Sequence, residues 1–241
     1  MKNIAAIALK ELYTYFVSPV AYFVFFIFTA VVGFLFAIIF FGVFQAQGQS
    51  NVIMEAIFSP MSVILLFFTP ALTMKLFAEE RKSGTIELMS TSPVRDTEMV
   101  FGKFLASFVL TLFMLLLTLL FPTFIAVFGE IDTGRIASGY LGLILLASTF
   151  LSLGLLISSM SKNQIVAALT SFGILLTFWI IGSLSNLAGR FGEFLAYLSL
   201  IEHFQGFARG VVGVKHAVYF LSFTTVCLFA TVKSVESSKW R

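Results

Sequence analysis

The side chains best able to bind a charged partner are concentrated in one stretch, FAEERKSGTIELMSTSPVRDTEMVFGKF, at 77–104. This stretch holds nine of the chain's 27 charged residues, and nearly unbroken apolar sequence flanks it on both sides. The nine are Glu79, Glu80, Arg81, Lys82, Glu87, Arg95, Asp96, Glu98 and Lys103. Because acids and bases are mixed, we expect a compact surface of mixed charge; a solvated loop is the alternative.

Sequence signatures of catalysis are missing from the chain. No G-x-x-x-x-G-K-[ST] motif occurs, and the nearest run, GEIDTGR at 129–135, ends in arginine, so ATP hydrolysis by a P-loop is excluded. The two histidines, His203 and His216, lie in or beside the last connection between apolar runs, where an interfacial role is favoured. No His, Cys, Asp or Glu spacing suggests a metal site. We therefore expect no catalytic residue, metal or cofactor in this chain.

Composition places these residues in a membrane protein. Of 241 residues, 59% are hydrophobic and only 11% are charged, against about 25% in soluble domains. Charge-free runs of about 20 residues, long enough to cross the hydrocarbon core as helices, recur along the chain. The six spans that we read from these runs are roughly 20–44, 57–77, 101–128, 137–160, 164–187 and 211–232. Because these runs do not alternate with period two, we predict one all-α integral membrane domain, 1–241, with six transmembrane helices.

Positive charges are divided unevenly between the two sides of such a fold. Both termini and one set of connections hold eleven lysines and arginines, and the other set holds four. By the positive-inside rule, the termini and the 77–104 stretch face the cytoplasm. The middles of the spans carry no Asp, Glu, Lys or Arg. This counts against a secondary transporter, because coupled transporters usually place such a residue at depth.

The first 18 residues are predicted to form a helix that does not span the membrane. On a helical wheel, Leu9 and Phe16 fall on an apolar side, and Lys10 and Glu11 fall on a polar side. A helix of this kind lies along the membrane interface with its polar side in water. We expect an interfacial helix at 1–18, on the cytoplasmic side.

Prolines indicate where helices begin or bend. Ser18-Pro19, Ser59-Pro60 and Ser92-Pro93 each pair an N-cap residue with a proline at the first helical position, where a missing N–H costs nothing. We therefore expect helices to begin at these three pairs. Pro70 and Pro122 fall inside spans and should kink them.

The polar loop at 78–100 is too small to fold as a domain. Gly84-Thr85 should end one helix and cap the next, giving a short helix at 85–91 across the axis of the second span. Asp96 and Glu98 then fall in the early turns of the third span, where acids complement the positive end of the helix dipole. We expect a short rigid knob of mixed charge beneath the membrane.

Two motifs resemble permease subunits of type 2 ABC exporters. AEERKSGTIELMSTSPV, followed by GK, is similar to the cytoplasmic loop after the second span of those permeases. LSLIEHFQGFARGVV at 198–212 is similar to the external segment before their last span, although Leu200 stands where that family often has proline. The resemblance covers the whole chain. It is closest to the small permeases associated with gliding motility and with copper-enzyme maturation.

This resemblance implies a non-enzymatic permease subunit of an ATP-driven exporter in the cell (inner) membrane. In that family, a separate ATP-binding subunit holds ATP and Mg²⁺ and docks on the loop, whose short helix couples the two subunits. The residues implied in this contact are Glu79, Glu80, Arg81, Gly84, Thr85 and Glu87, with Lys103 and the interfacial helix buttressing them. We expect Glu79 and Glu80 to be solvated, so that exchanging their charge leaves the fold intact.

The same resemblance implies two short external helices within 188–212 that dip partly into the outer leaflet; a plain surface loop is the alternative. We expect its aromatic side chains at the level of the headgroups. These are Phe191, Phe194, Tyr197, Phe204 and Phe207. We expect the segment to gate an exit or bind an external accessory subunit, through His203, Phe204, Phe207, Arg209 and Gly210.

Small residues four positions apart predict close helix packing in the first and fifth spans. The pairs are Gly33-x-x-x-Ala37 and Ala167-x-x-x-Ser171. Packing inside one subunit and packing between two subunits explain this spacing equally well. The family resemblance places these spans near a two-fold axis, so we expect a homodimer, or a heterodimer with a similar permease, sealed through these four residues.

Two alternatives to an exporter stay open. The same architecture could transmit force to an external partner without moving a substrate, or the chain could work alone as a secondary transporter or channel. The second alternative predicts activity without any ATPase. The substrate is not encoded in any motif, and uncharged spans point only weakly to a lipid-like or polymeric cargo, or to none.

Overall fold

The computed structural model describes residues 2–45, 50–84, 95–128, 131–183 and 192–238. In these ranges the regular structure is helical, with eleven α-helices and one short 3₁₀ turn. The helices are α1 Lys2–Val17, α2 Pro19–Gln45, α3 Ser50–Thr73, α4 Lys75–Ser83, α5 Asp96–Thr118, α6 Leu120–Phe128, α7 Thr133–Met160, α8 Gln164–Ile180, α9 Gly192–Leu198, α10 Leu200–Ala208 and α11 Val214–Ser238.

Six helical segments in the described ranges are long and apolar enough to cross a membrane. They are Ala21–Val43, Ile53–Ser83, Asp96–Val127, Thr133–Met160, Gln164–Ser183 and Val214–Ser237. The second segment joins α3 to α4, and the third joins α5 to α6. This confirms the predicted all-α fold with six spans.

The proline predictions are partly confirmed. α2 begins at Pro19, as expected. Ser59-Pro60 does not begin a helix, because α3 starts at Ser50 and runs through Pro60. A proline inside a span forfeits one backbone hydrogen bond, and the buried side chains of Ile57 and Phe58 hold the turn that precedes it. The third span begins at Asp96, after an extended Arg95, and not at Ser92-Pro93 as expected; Ser92 and Pro93 themselves lie outside the described residues.

The two prolines predicted to kink spans lie close to helix breaks. Pro70 lies in α3, and the second span is interrupted four residues later, at Met74. Pro122 lies in the first turn of α6, and the third span is interrupted at Leu119. Pro122 has no N–H for the carbonyl of Thr118, so the regular α-helical ladder cannot run across this point.

The most buried span is α7, which packs against α3, α11 and α10. Small residues allow this close packing. A Cβ at Gly139 would overlap the ring of Phe58, and a Cβ at Gly154 would overlap Thr73. The hydroxyls of Thr149 and Thr224 lie 3.3 Å apart between α7 and α11. The least buried spans are the first and fifth, α2 and α8.

The bundle has two distinct ends. At one end, which we call the loop end, α1 and α4 lie beside the start of α5 and the last turns of α11, joined by a small apolar cluster around Phe77 and Val100. At the opposite end, α9 and α10 lie beside the starts of α3, α7 and α11. The two ends are therefore built from different sets of helices.

The N-terminal helix α1 packs along α5, and one residue of its predicted polar side lies inside. Ile7 lies against Gly102, where a Cβ would come within 2.7 Å of the Ile7 side chain. Glu11, expected on the solvated side, is buried, whereas its neighbour Lys10 is exposed. The prediction for Glu11 was wrong because this carboxylate pairs with a buried lysine of α5.

Candidate functional site

A buried lysine lies at the centre of the loop end. Lys103, on α5, is 1% exposed. Its Nζ lies 3.0 Å from Oε1 of Glu11 on α1 and 2.6 Å from Oε1 of Glu80 on α4. It also donates to the backbone carbonyl of Leu76 at 2.7 Å. One ammonium group thus joins three helices with three charge-assisted or carbonyl hydrogen bonds, which use its three N–H donors.

The local sequence explains why the lysine is held inside. Gly102 precedes it and lets α1 approach α5 closely, which brings Glu11 within reach. The ring of Phe77 lies under the ammonium group, 5.1 Å from Nζ to the ring centroid. A buried lysine is tolerated only when it is paired and hydrogen-bonded, and this one has both carboxylates and a ring face. We call Lys103, Glu11, Glu80 and the Leu76 carbonyl the lysine joint.

A polar cavity of about 310 Å³ adjoins the lysine joint. Its lining combines both signs of charge with hydroxyl groups. The residues are Lys10, Glu11, Thr14, Tyr15, Ser18, Lys75, Leu76, Glu79, Glu80 and Lys103. The lysine joint contains two carboxylates and one ammonium group. Nζ of Lys10 lies 4.0 Å from Oε1 of Glu11. The region is thus a mixed-charge cleft between α1 and α4.

Two further hydrogen bonds hold the break between α3 and α4. The hydroxyl of Tyr15, on α1, donates to the carbonyl of Leu72 at 2.6 Å. Burial raises the pKa of Tyr15, with a smaller contribution from the Glu11 carboxylate, so the phenol stays protonated and remains a donor. From α7, Oγ of Ser158 donates to the carbonyl of Met74 at 3.1 Å. The start of α4 is therefore fixed from two sides.

The residues expected to bind an ATP-binding subunit do not share one environment. Glu79 is exposed at the surface of α4, as predicted, and Arg81 is half-buried. Glu80 was expected to be solvated, and this was wrong, because its carboxylate pairs with Lys103 and its side chain is only 16% exposed. Thr85, Glu87 and the short helix predicted at 85–91 lie outside the described residues.

The cap at Gly84 and the placement of Asp96 and Glu98 follow the sequence prediction. Gly84 ends α4 with a φ of 72°, in the left-handed region that favours glycine. Asp96 and Glu98 lie in the first turn of α5. The Glu98 carboxylate accepts hydrogen bonds from the backbone N–H of Arg95 at 3.1 Å and from the Asn3 side chain at 3.0 Å. The start of α5 is thereby also tied to α1.

At the opposite end, a histidine pair links α10 to α11. Nδ1 of His203 lies 2.8 Å from Nδ1 of His216, and Nε2 of His203 lies 3.0 Å from the carbonyl of Tyr197. A carbonyl only accepts, so Nε2 of His203 carries the proton and its Nδ1 accepts from His216. The ring of His203 stacks on Tyr219 with centroids 3.9 Å apart. Burial lowers the pKa of His203, which favours this neutral form.

The other residues expected to form an external gate are divided between the core and the surface. Phe204 and Phe207 are buried in the core against Gly142 of α7, so they present no exposed surface to a partner. Arg209 is exposed, with Nε 3.8 Å from Oε1 of Glu55. Gly210 has a φ of 92°, which favours glycine. Of the other aromatics, Phe194 and Tyr197 are exposed, and Phe191 lies outside the described residues.

The four residues predicted at a dimer interface differ in their burial. Ala167 and Ser171 are buried within the chain, at 0% and 1% exposure, so this pair packs inside one subunit and its assignment to a dimer surface was wrong. Gly33 and Ala37 are half-buried, and a Cβ at Gly33 would meet nothing within 4 Å. Only the pair on α2 therefore leaves room for another helix.

Sequence reasoning missed three residues of the loop end. Glu11 carried a signal that was available, because it is the only acid among the first 54 residues and so stands out in an apolar helix. Tyr15 and Ser158 carried none, since a tyrosine and a serine in apolar helices are ordinary residues. Their roles depend on partners 57 and 84 positions away.

Comparison with known proteins relates the polar loop and the membrane spans to a known family. A family model described as ABC-2 family transporter protein matches residues 44–232, which includes the polar loop and all spans after the first. The match covers most of the chain and leaves α1 outside it. No curated protein matches the chain. The chain therefore belongs to the ABC-2 family of transporter proteins and is a multi-pass membrane permease.

Proposed function

We propose that this chain is the permease subunit of an ATP-driven exporter and that a separate ATP-binding subunit drives it. Members of this family normally work with an ATP-binding subunit and dimerise. ATP and Mg²⁺ are bound by that partner, and this chain contributes the membrane helices and the docking surface. Export is proposed over import on the resemblance of the polar loop to the loop of type 2 exporters.

The lysine joint is the observation that carries this proposal. A buried ion cluster contributes little net stability, because desolvation offsets the attraction between the charges. It does fix the relative positions of the groups that it joins. Here it fixes α4, which leads into the polar loop, to α1 and α5. A force applied to the loop therefore moves three helices together instead of bending one.

The orientation that we propose places the loop end in the cytoplasm of the cell (inner) membrane. Eleven of the fifteen lysines and arginines belong to the termini and to the connections expected on this side. Cysteine labelling tests the orientation. A cysteine at Ser83 should react with an impermeant maleimide only after permeabilisation, and one at Val211 should react in intact cells. Labelling of Ser83 from outside contradicts the orientation and the docking role.

We propose that two permeases pair through the outward faces of α2 and α8. These two spans are the least buried of the six. The free side of Gly33 and Ala37 on α2 lets a second backbone approach closely. On α8 the exposed large hydrophobic residues are Ile165, Val166, Leu169 and Ile180. The second copy is either the same chain or a similar permease.

A charge exchange on the surface of α4 tests the docking role. Glu79 and Lys82 are exposed and lie three positions apart. Glu79→Lys combined with Lys82→Glu keeps the net charge and leaves the lysine joint untouched. We expect the permease to insert and fold normally, while co-purification of the ATP-binding subunit falls at least tenfold.

The matched control exchanges Lys233 and Glu236 on α11, an exposed pair with the same spacing at the same end. It should leave co-purification unchanged. Equal retention of the ATP-binding subunit by both variants would refute docking through α4. An exporter requires ATP-dependent movement of a substrate, whereas transmission of force alone predicts ATP hydrolysis without transport. A transporter that works alone predicts activity in the purified chain without any ATPase.

A further inference from the structure

Ser158, on α7, supplies the helix cap that α4 lacks. Met74 is the N-cap residue of α4, and its side chain makes no capping hydrogen bond. Instead, Oγ of Ser158 accepts hydrogen bonds from the backbone N–H groups of Phe77 and Ala78, at 3.1 and 3.2 Å. The same hydroxyl donates to the carbonyl of Met74 at 3.1 Å. One donor and two acceptor positions are all that a hydroxyl has, so the group is fully used.

The contact around Ser158 is dry and close. Ser158 is 0% exposed, so no solvent replaces its hydrogen bonds. One turn away on α7, Gly154 faces Thr73, the last residue of α3, and a Cβ at Gly154 would overlap the threonine side chain. α7 therefore meets the break at Met74 with a backbone contact on one side and a trans-helix cap on the other.

The same helix makes a similar contact at the opposite end of the bundle. Oγ of Ser138 donates to the carbonyl of Phe207, on α10, at 2.9 Å. One turn along, Gly142 lets the Phe207 side chain touch the α7 backbone. Ser138 and Ser158 are 20 residues apart in one unbroken helix, which corresponds to about 30 Å at 1.5 Å per residue. α7 is thus fixed to α4 at one end and to α10 at the other.

We propose that Ser158 is a positioning residue that couples α4 to α7, so that α7 carries the movement of α4 to α10 at the opposite end of the membrane. This inference rests on the proposed function, in which an ATP-binding subunit moves α4. Pro70, in the turn before α4, lacks the N–H of a regular helix, which weakens the backbone ladder between α3 and α4. The cap from Ser158 then makes α7 follow a movement of α4. The α10 helix then moves with α7 because the Ser138 and Gly142 contacts hold it there.

The first test needs only the permease in detergent. Ser158→Ala removes the acceptor for two buried N–H groups, and hydrogen exchange in the peptide covering 75–83 should accelerate about tenfold. The matched control is Ser107→Ala, another buried serine, whose hydroxyl bonds to carbonyls of its own helix. Ser107→Ala should leave exchange at 75–83 unchanged. Unchanged exchange in Ser158→Ala would refute the cap.

The second test uses the complex with the ATP-binding subunit. Cys227, the single cysteine, is replaced by serine, and a reporter cysteine is placed at Val211, which is exposed just after α10. An impermeant maleimide then measures how Mg-ATP changes the labelling rate. We expect a severalfold change in the parent. In Ser158→Ala, we expect about the same labelling rate with and without Mg-ATP, while the ATP-binding subunit stays bound. A purely structural defect would lower both the ATP-dependent change in labelling and the binding of the ATP-binding subunit.

The outcomes separate the two proposals. An ATP-dependent change that persists in Ser158→Ala overturns the role of Ser158 and leaves the proposed function intact. A parent that binds an ATP-binding subunit but shows no ATP-dependent labelling overturns transmission to α10. A chain that binds no ATP-binding subunit refutes the proposed function, and the exchange experiment then still decides whether Ser158 caps α4.

Discussion

Replacing Lys103 with methionine should destabilise the loop end strongly, because it leaves two carboxylates without their cation. The Lys103 ammonium group bonds Glu11, Glu80 and the Leu76 carbonyl, and the lysine side chain is 1% exposed. Methionine has a similar length and fills the same space, so the change removes the charge and the hydrogen bonds with little loss of packing. The expected effect is therefore electrostatic.

The magnitude follows from the burial of the partners. Removing one partner of a buried ion pair costs about 3–5 kcal/mol. The side chains of Glu11 and Glu80 are 11% and 16% exposed, so water screens them in part, and the lower value of about 3 kcal/mol applies. For a chain of this size, about 1 kcal/mol lowers Tm by about 2–4 °C. Lys103→Met should therefore lower Tm by about 6–12 °C.

Thermal unfolding of the purified permease in one detergent measures this shift. Lys233→Met is the control, since Lys233 pairs with Glu236 on the exposed surface and its loss should change Tm by less than about 2 °C. Adding Glu11→Gln and Glu80→Gln to Lys103→Met removes the uncompensated charges and should recover at least half of the loss. A Tm loss in Lys103→Met no larger than in Lys233→Met would refute the electrostatic account.

Three further predictions concern other parts of the fold. Burial lowers the pKa of His203, so the unfolded chain takes up a proton at higher pH than the folded chain, and stability should fall as the pH drops below about 6.5. In melting scans from about pH 8 to about pH 5, Tm should fall less in His203→Phe than in the parent, and an equal fall in Tm would contradict this. Gly154→Ala should lower stability by about 1–3 kcal/mol through overpacking, whereas Gly173→Ala should not, because a Cβ at Gly173 meets nothing within 4 Å. Equal melting temperatures of these two variants would count against close packing of α7. In a cysteine-free background, a cysteine at Gly33 should form an intermolecular disulfide in membranes and one at exposed Leu116 should not, while crosslinking at neither would oppose pairing through α2.

The spans could be predicted from the sequence because their signal is local. A helix that crosses the membrane must be apolar over its own length, so each run shows itself without its neighbours. The cap at Gly84 and the acids at Asp96 and Glu98 were equally readable, since a helix end depends on the residues beside it. The prediction of a helix start at Ser59-Pro60 was wrong because a Ser-Pro pair inside a span has the same sequence as a Ser-Pro pair at a helix start.

Contacts between helices could not be predicted in the same way. Glu11 and Lys103 are 92 positions apart, and a helical wheel for 1–18 has no means to show that the polar side faces a buried lysine. The small-residue pairs make the same point. Gly33-x-x-x-Ala37 and Ala167-x-x-x-Ser171 have identical spacing, yet the first has open space at Gly33 and the second is buried within the chain. Spacing indicates that backbones approach closely, but not which backbones.

The arrangement of polar contacts explains how a mostly apolar protein can respond to a force at one end. A buried hydrogen bond or ion pair between helices requires one relative position, because a shift of the helices leaves its polar groups without partners. In the described residues, the loop end has such contacts between α4 and each of α1, α5 and α7, through Glu80, Lys103 and Ser158. Met74, where α3 passes into α4, lies at the border of this group and is itself held by Ser158. We therefore expect the loop end to move as one body, with Ser158 as the contact that makes α7 follow α4.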